Sequence, residues 1–173
     1  MGREEAGVAS SFRCAICGEE HEGLPTDRGY ALPDDVWAIP ESERARHGYS
    51  SGDICDIDGR CFLRGVLEIP LMDRDDHFGW GVWVEAERAV LERYAAIWSE
   101  DARTEPPRVG VLANVVPGFE DAANEQLTIH FGNASNRPTF TTSAESRSSL
   151  AVAQRRGLDD AAYHAMLVRA GAI

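Results

Sequence analysis

Two long apolar runs dominate the middle of the chain. Arg60 to Met72 (RCFLRGVLEIPLM) and His77 to Glu85 (HFGWGVWVE) are rich in branched and aromatic residues, and the polar Asp73-Arg74-Asp75-Asp76 lies between them. That composition suits pleated strands and the polar segment has hairpin-turn length, so the two runs are predicted to pair antiparallel. By period-two alternation, Leu63, Gly65, Leu67 and Ile69 fall on one face of the first run and Arg64, Val66 and Glu68 on the other. The period then changes. Val90, Leu91, Tyr94, Ile97 and Trp98 recur at helical spacing with Glu87, Arg88, Glu92 and Arg93 between them, which predicts an amphipathic helix over 86–99.

Further strands are predicted at Arg108 to Val115, Gln126 to Phe131 and Pro138 to Thr142, with the turn-rich Pro117-Gly118-Phe119-Glu120-Asp121 between the first two. Ser148 or Ser149 can cap a short helix through Arg155 that Gly157 ends, and Asp159 can cap a second helix to about Arg169. Strands and helices do not alternate, so the pattern reads as α+β: an antiparallel sheet with a central amphipathic helix and C-terminal helices. Towards the N-terminus the patterning fades. Residues 1–11 are small and polar and read as a disordered tail, while Gly18, Gly23, Pro25, Gly29, Pro33 and Pro40 break up any long element from Cys14 onward. A short charged helix is predicted between Pro40 and Gly48. The expected organisation is one domain over 12–173, with a cysteine-rich head over about 12–61.

A length of 173 residues, 43% of them hydrophobic, is enough for one core. No apolar run approaches the roughly 20 residues that span a bilayer, and Met1 to Phe12 lacks the basic start and hydrophobic stretch of a secretion signal. A cytoplasmic protein without membrane partners is expected. A formal net charge of -12 argues against nucleic acid, whose binding rests on a dense basic surface. All 17 basic residues are arginine, which removes lysine chemistry such as Schiff-base formation.

In a reducing compartment the four cysteines read as metal ligands or thiols in place of disulfides. Cys14-Ala-Ile-Cys17 sets two sulfurs within reach of one ion, and Zn²⁺ takes four such ligands. Cys55 is the best distant third ligand, in a polar stretch beside Asp53, and either His21 or Cys61 completes the set. Thiol–disulfide chemistry is the weaker reading, because Gly18-Glu19-Glu20-His21-Glu22-Gly23 is too acidic to favour a thiolate. Cysteines buried as small hydrophobes are the plain alternative. Asp53, Asp56 and Asp58 lack a complete calcium-loop pattern and read as a solvated acidic turn, and His130 as a strand histidine with satisfied hydrogen bonds.

Several motifs together carry a resemblance. Cys14-x2-Cys17-Gly18-x2-His21-x2-Leu24-Pro25, Asp53-x-Cys55-x-Ile57-Asp58, Phe62-x-Arg64-Gly65-x-Leu67-Glu68-Ile69-Pro70 and Trp80-Gly81-Val82-Trp83-Val84 resemble an uncharacterised bacterial family, domain of unknown function 2199. The resemblance runs from about Cys14 to Gly157 and implies a single bacterial domain with no assigned activity. It also implies Cys55 and His21, ahead of Cys61, as companions of Cys14 and Cys17.

Two classes of function fit these residues. The first is a small zinc-stabilised binding domain, engaging another protein, with structural zinc on Cys14, Cys17, His21 and Cys55. A candidate binding surface is formed by Arg64 and Glu68 with Trp80 and Trp83 of the neighbouring strand, since aromatics beside arginine suit recognition. The second is a metal-assisted hydrolase, in which three of those ligands hold zinc and water takes the fourth place. A closed site without a cleft favours the first, and a deep pocket onto the metal favours the second.

Overall fold

The computed structural model describes residues 11–13, 20–22 and 27–173. The expectations for the tail and for Cys14 and Cys17 therefore lie outside the described residues. Strands β1 (Ser11–Arg13) and β2 (Glu20–Glu22) pair antiparallel, with Phe12 opposite His21. Next come β3 (Asp27–Gly29), the single-turn α1 (Asp34–Trp37), α2 (Glu41–His47), β4 (Gly48–Ser50) and β5 (Ile54–Ile57). The charged helix predicted after Pro40 is α2. Cys55, expected in a polar loop, lies instead inside β5, because Asp58-Gly59 folds the chain back on itself. Their φ values of 51° and 79° are the left-handed pair that a tight hairpin demands.

The two apolar runs are β6 (Arg60–Leu71) and β7 (Asp76–Ala86), paired antiparallel from Cys61 opposite Ala86 to Leu71 opposite Asp76. The helix α3 (Arg88–Ala96) follows, then β8 (Arg108–Leu112), β9 (Gln126–His130), β10 (Thr139–Thr142), α4 (Ser149–Arg156) and α5 (Asp160–Arg169). Both C-terminal caps match the sequence pattern. The Ser148 hydroxyl accepts from Ala151 N–H and the Asp159 carboxylate from Ala162 N–H, each satisfying an otherwise unpaired helix donor.

The sheet departs from the open antiparallel expectation. Strands β7, β8, β9, β10 and β6 are hydrogen-bonded in that order, and β6 also pairs with β7, so five strands close into a barrel. Closure runs through a parallel contact in which Thr139 lies opposite Val66 and Phe140 opposite Leu67. A closed barrel removes the unpaired edges an open sheet would present. The alternation read from the sequence places Leu63, Leu67 and Ile69 inside, with Phe78, Trp80, Val82, Val84, Leu112, Leu127, Ile129 and Phe140. α3 covers one end with Val90, Leu91 and Tyr94. At the other end α5 brings Met166, whose sulfur accepts from the Trp80 indole at 3.4 Å, and Tyr163, edge-on to Phe78 at 5.8 Å.

A second, smaller core forms outside the barrel. Val36, Cys55, Ile57, Phe62 and Trp83 pack together there, with Tyr30, Leu32 and Ile39 against them. Asn114 ties this layer to the barrel. Its Oδ1 accepts from Trp83 N–H at 2.8 Å, while its Nδ2 donates to Leu32 O at 3.0 Å and Asp34 Oδ1 at 2.8 Å. No described helix is long and apolar enough to cross a membrane.

Candidate functional site

Strand β6 changes neighbours along one edge. Its first residues, Arg60 to Leu63, pair with β5, whereas Val66 and Leu67 pair with β10. The sheet therefore splits at Arg64 and Gly65, with β5 leading outward and β10 into the barrel. Asp53 stands at the start of one branch, its carbonyl accepting from Arg64 N–H at 2.8 Å. Arg137 stands at the start of the other, and its Nε donates to Asp53 Oδ1 at 2.6 Å across the split.

A cleft of about 410 Å³ opens beside this pair. Its apolar wall is Tyr94, Ile97 and Trp98 from the end of α3, together with Phe131, and the opposite wall is the loop over 132–136. Tyr94 stacks on Phe131 at 5.9 Å between centroids and 12° between planes, and Trp98 meets Tyr94 edge-on at 5.5 Å. The helix ends at Ala96, so Ile97 turns inward while Trp98 stays 51% exposed. The Asn133 carboxamide oxygen accepts from Ser135 N–H at 2.9 Å and Ala102 N–H donates to Gly132 O at 3.0 Å, which fixes the loop wall. The cleft thus sets one aromatic wall against a polar loop and the Asp53–Arg137 pair, an apolar surface with convergent polar groups that suits a ligand.

Arg64 supplies the second charge at the split. Its guanidinium lies over β7 and β3, where Gly81 and Gly29 leave the sheet without side chains. A Cβ on Gly29 would fall 2.6 Å from Arg64 Nη2. No acceptor for this guanidinium lies among the described residues, and its Nε is buried. Burial and then the neighbouring Arg137 lower its pKa, while Asp53 opposes them. Arginine nonetheless keeps its proton in proteins, so a fixed cation with unused donors lies beside the split, outside the cleft lining. Burial likewise lifts the Tyr94 hydroxyl to about 12, which keeps it a neutral donor.

The surface expected from Arg64, Glu68, Trp80 and Trp83 is not assembled as an exposed patch. Arg64 and Glu68 share the outer face, but Glu68 lies 3.5 Å from His77 and makes no pair with Arg64. Both tryptophans are buried, and on opposite faces: Trp80 stands beside Leu67 inside the barrel, and Trp83 beside Arg64 in the outer core. Three residues apart on a strand, they cannot share a face. The acidic turn is held by ion pairs of Asp53 with Arg137 and Asp56 with Arg88, and by a hydrogen bond between Asp58 and His47. His130 Nε2 lies 2.9 Å from Thr141 Oγ1.

The candidate metal ligands divide in the same way. Cys55 lies beside Phe62 in the outer core and Cys61 beside Asp56 on the barrel side, so the two thiols leave opposite faces and cannot serve one ion. Burial raises the Cys55 thiol to about 11 and is the leading cause that raises Cys61. Among the described residues no group of three or more His, Cys, Asp or Glu side chains could hold a metal ion. The described residues thus contribute at most one thiolate to a zinc site. The cleft lining contains neither cysteine nor histidine.

A family model described as an uncharacterized protein conserved in bacteria, DUF2199, matches residues 13–158. The chain belongs to the DUF2199 family. No curated protein and no solved structure matches it. The matched span covers the barrel through α4 and includes every residue that lines the cleft, leaving α5 outside. Sequence reading singled out Arg64 but missed Arg137, Tyr94 and Trp98 as a site. The available signal was Trp98, the last aromatic of an amphipathic stripe, placed after the helix had room to bury it.

Proposed function

We propose that this DUF2199 protein is a binding domain whose cleft beside α3 receives a small molecule with a flat, apolar part. The observation that carries the reading is Trp98, half exposed at the cleft and held edge-on by Tyr94, which itself stacks on Phe131. A pre-positioned aromatic wall binds a ring at little ordering cost, because the side chains are already fixed. The lining lacks the cysteine and histidine ligands that a metal-assisted hydrolase would place at its pocket, so binding is favoured over the hydrolase. Titrating ¹⁵N-labelled protein with benzyl alcohol tests this. The Trp98 indole N–H resonance should move most, and Trp98→Ala should weaken binding roughly fivefold, about 1 kcal/mol. Saturable shifts confined to other parts of the protein would reject the cleft.

The zinc clasp is a separate proposal, supported by the Cys14-x2-Cys17-x3-His21 spacing. The opposite facing of Cys55 and Cys61 makes it decidable. One zinc per chain is expected by elemental analysis, lost in Cys14→Ser and Cys55→Ser and retained in Cys61→Ser. Metal-free protein from every preparation, or loss of zinc on replacing Cys61 alone, would overturn this ligand set.

A further inference from the structure

We propose that the ligand of the cleft carries a single carboxylate, received by Arg137 at the end where the sheet splits. The inference rests on the cleft reading above and adds the chemistry of the ligand's head. Arg137 spends only its Nε on Asp53, and no acceptor for Nη1 or Nη2 lies among the described residues. Its side chain is 45% exposed at the cleft, so this fork of parallel donors is accessible. Planar guanidinium donors match the two oxygens of a carboxylate, and such charge-assisted pairs are the strong ones. The Tyr94 hydroxyl, close enough to feel both Asp53 and Arg137, adds a neutral donor at the same end.

Charge limits the head to a single negative charge. Of the groups lining the cleft, Arg137 is positive and Asp53 and Glu100 are negative, 1 − 2 = −1, and Arg64 beside the split brings the sum to 0, in a chain whose formal net charge is -12. Attraction for an anion is therefore confined to the free donors of Arg137 and opposed by the rest of the molecule. A monoanion can take those donors at the arginine end. A dianion such as a phosphate monoester would place its second charge against Asp53 and Glu100. Asp53 occupies Arg137 in the manner of an internal stand-in for the ligand, and an incoming carboxylate takes the nitrogens that Asp53 leaves free.

Benzoate, benzyl alcohol and phenyl phosphate, titrated into the full chain and followed at the Trp98 indole N–H, test the assignment. Benzoate is expected to bind at least about tenfold more tightly than benzyl alcohol, as a hydrogen-bonded charge requires. Arg137→Gln should bring the ratio of the two affinities to about one. Asp53→Asn should raise benzoate affinity, since it frees the guanidinium and removes a repelling charge. Both variants break the same Asp53–Arg137 pair yet predict opposite changes, which separates loss of the donor fork from general damage to the fold. Equal affinity for benzoate and benzyl alcohol, or a preference that survives Arg137→Gln, would overturn the proposal. Tighter binding of phenyl phosphate than of benzoate would overturn the carboxylate in favour of a phosphate. If no ring compound reaches Trp98, the cleft reading itself fails and this inference falls with it.

Discussion

Replacing Gly65 with alanine should lower the melting temperature by roughly 6–12 °C, corresponding to about 3 kcal/mol for a chain of this size. Gly65 lies on the inward face of β6 where the strand hands over from β5 to β10. A Cβ there would meet the Phe140 ring at Cζ and stand 2.5 Å from the Pro138 carbonyl oxygen. The ring can rotate or shift, but the carbonyl belongs to the backbone that closes the barrel, accepting from Val66 N–H at 2.9 Å. The parallel contact between β6 and β10 must therefore open to admit one methyl group. Combining Gly65→Ala with Phe140→Leu should recover only part of the loss, because the second change relieves the ring and not the carbonyl. Thermal unfolding of the single and double variants measures this coupling directly. A Gly65→Ala protein melting within 2 °C of wild type would show that the closure has slack the packing does not reveal.

Trp83→Ala should cost about 4 kcal/mol in urea unfolding, in the range measured for emptied aromatic sites. The Trp83 ring is 0% exposed and sits at the centre of the outer core among Val36, Cys55, Ile57 and Phe62. Its indole N–H donates to Tyr30 O at 3.1 Å, so truncation removes the ring and strands a carbonyl. Trp83→Phe should retain about half the stability lost in the alanine variant, keeping most of the volume without the donor. Trp98→Ala provides the contrast: an exposed ring at the cleft should change ligand binding while altering stability by less than about 1 kcal/mol. A loss below 1.5 kcal/mol for Trp83→Ala would mean that the outer layer contributes little to the fold. The consequence reaches the site, since this layer holds β3, whose Gly29 lies beneath Arg64.

Elements with a clear local period were readable in advance. The β6–β7 hairpin, α3 and the two capped C-terminal helices fall within a few residues of their predicted spans, because alternation, helical spacing and cap residues are written locally. β5 was missed although Asp58-Gly59, flanked by Ile57 and Phe62, is a strong hairpin signal. The pairing of Trp80 with Trp83 on one surface contradicted the alternation already used for Arg64 and Glu68. An odd spacing of three sends the rings to opposite faces, and each has its own core to fill.

The candidate site was legible only in part. Arg64 stood out as a charge interrupting an apolar strand, and the structure shows why it is unusual: a guanidinium laid over glycines without an acceptor among the described residues. Arg137 gave no such sign, since an arginine in a Gly-Asn-Ala-Ser-Asn-Arg-Pro loop looks like any exposed residue.

By itself the sequence determined the β6–β7 hairpin, α3 and the strands after it, which face of β6 enters the core, where the terminal helices begin, and membership in a bacterial family. These depend on neighbours a few residues away. Only the tertiary structure decided that the sheet closes, that Cys55 and Cys61 part company across it, and that Asp53 meets Arg137. Those depend on contacts between residues far apart in the chain, such as Val66 with Thr139 and Asp53 with Arg137. A period says which way a side chain points, but closure of the barrel decides what it meets.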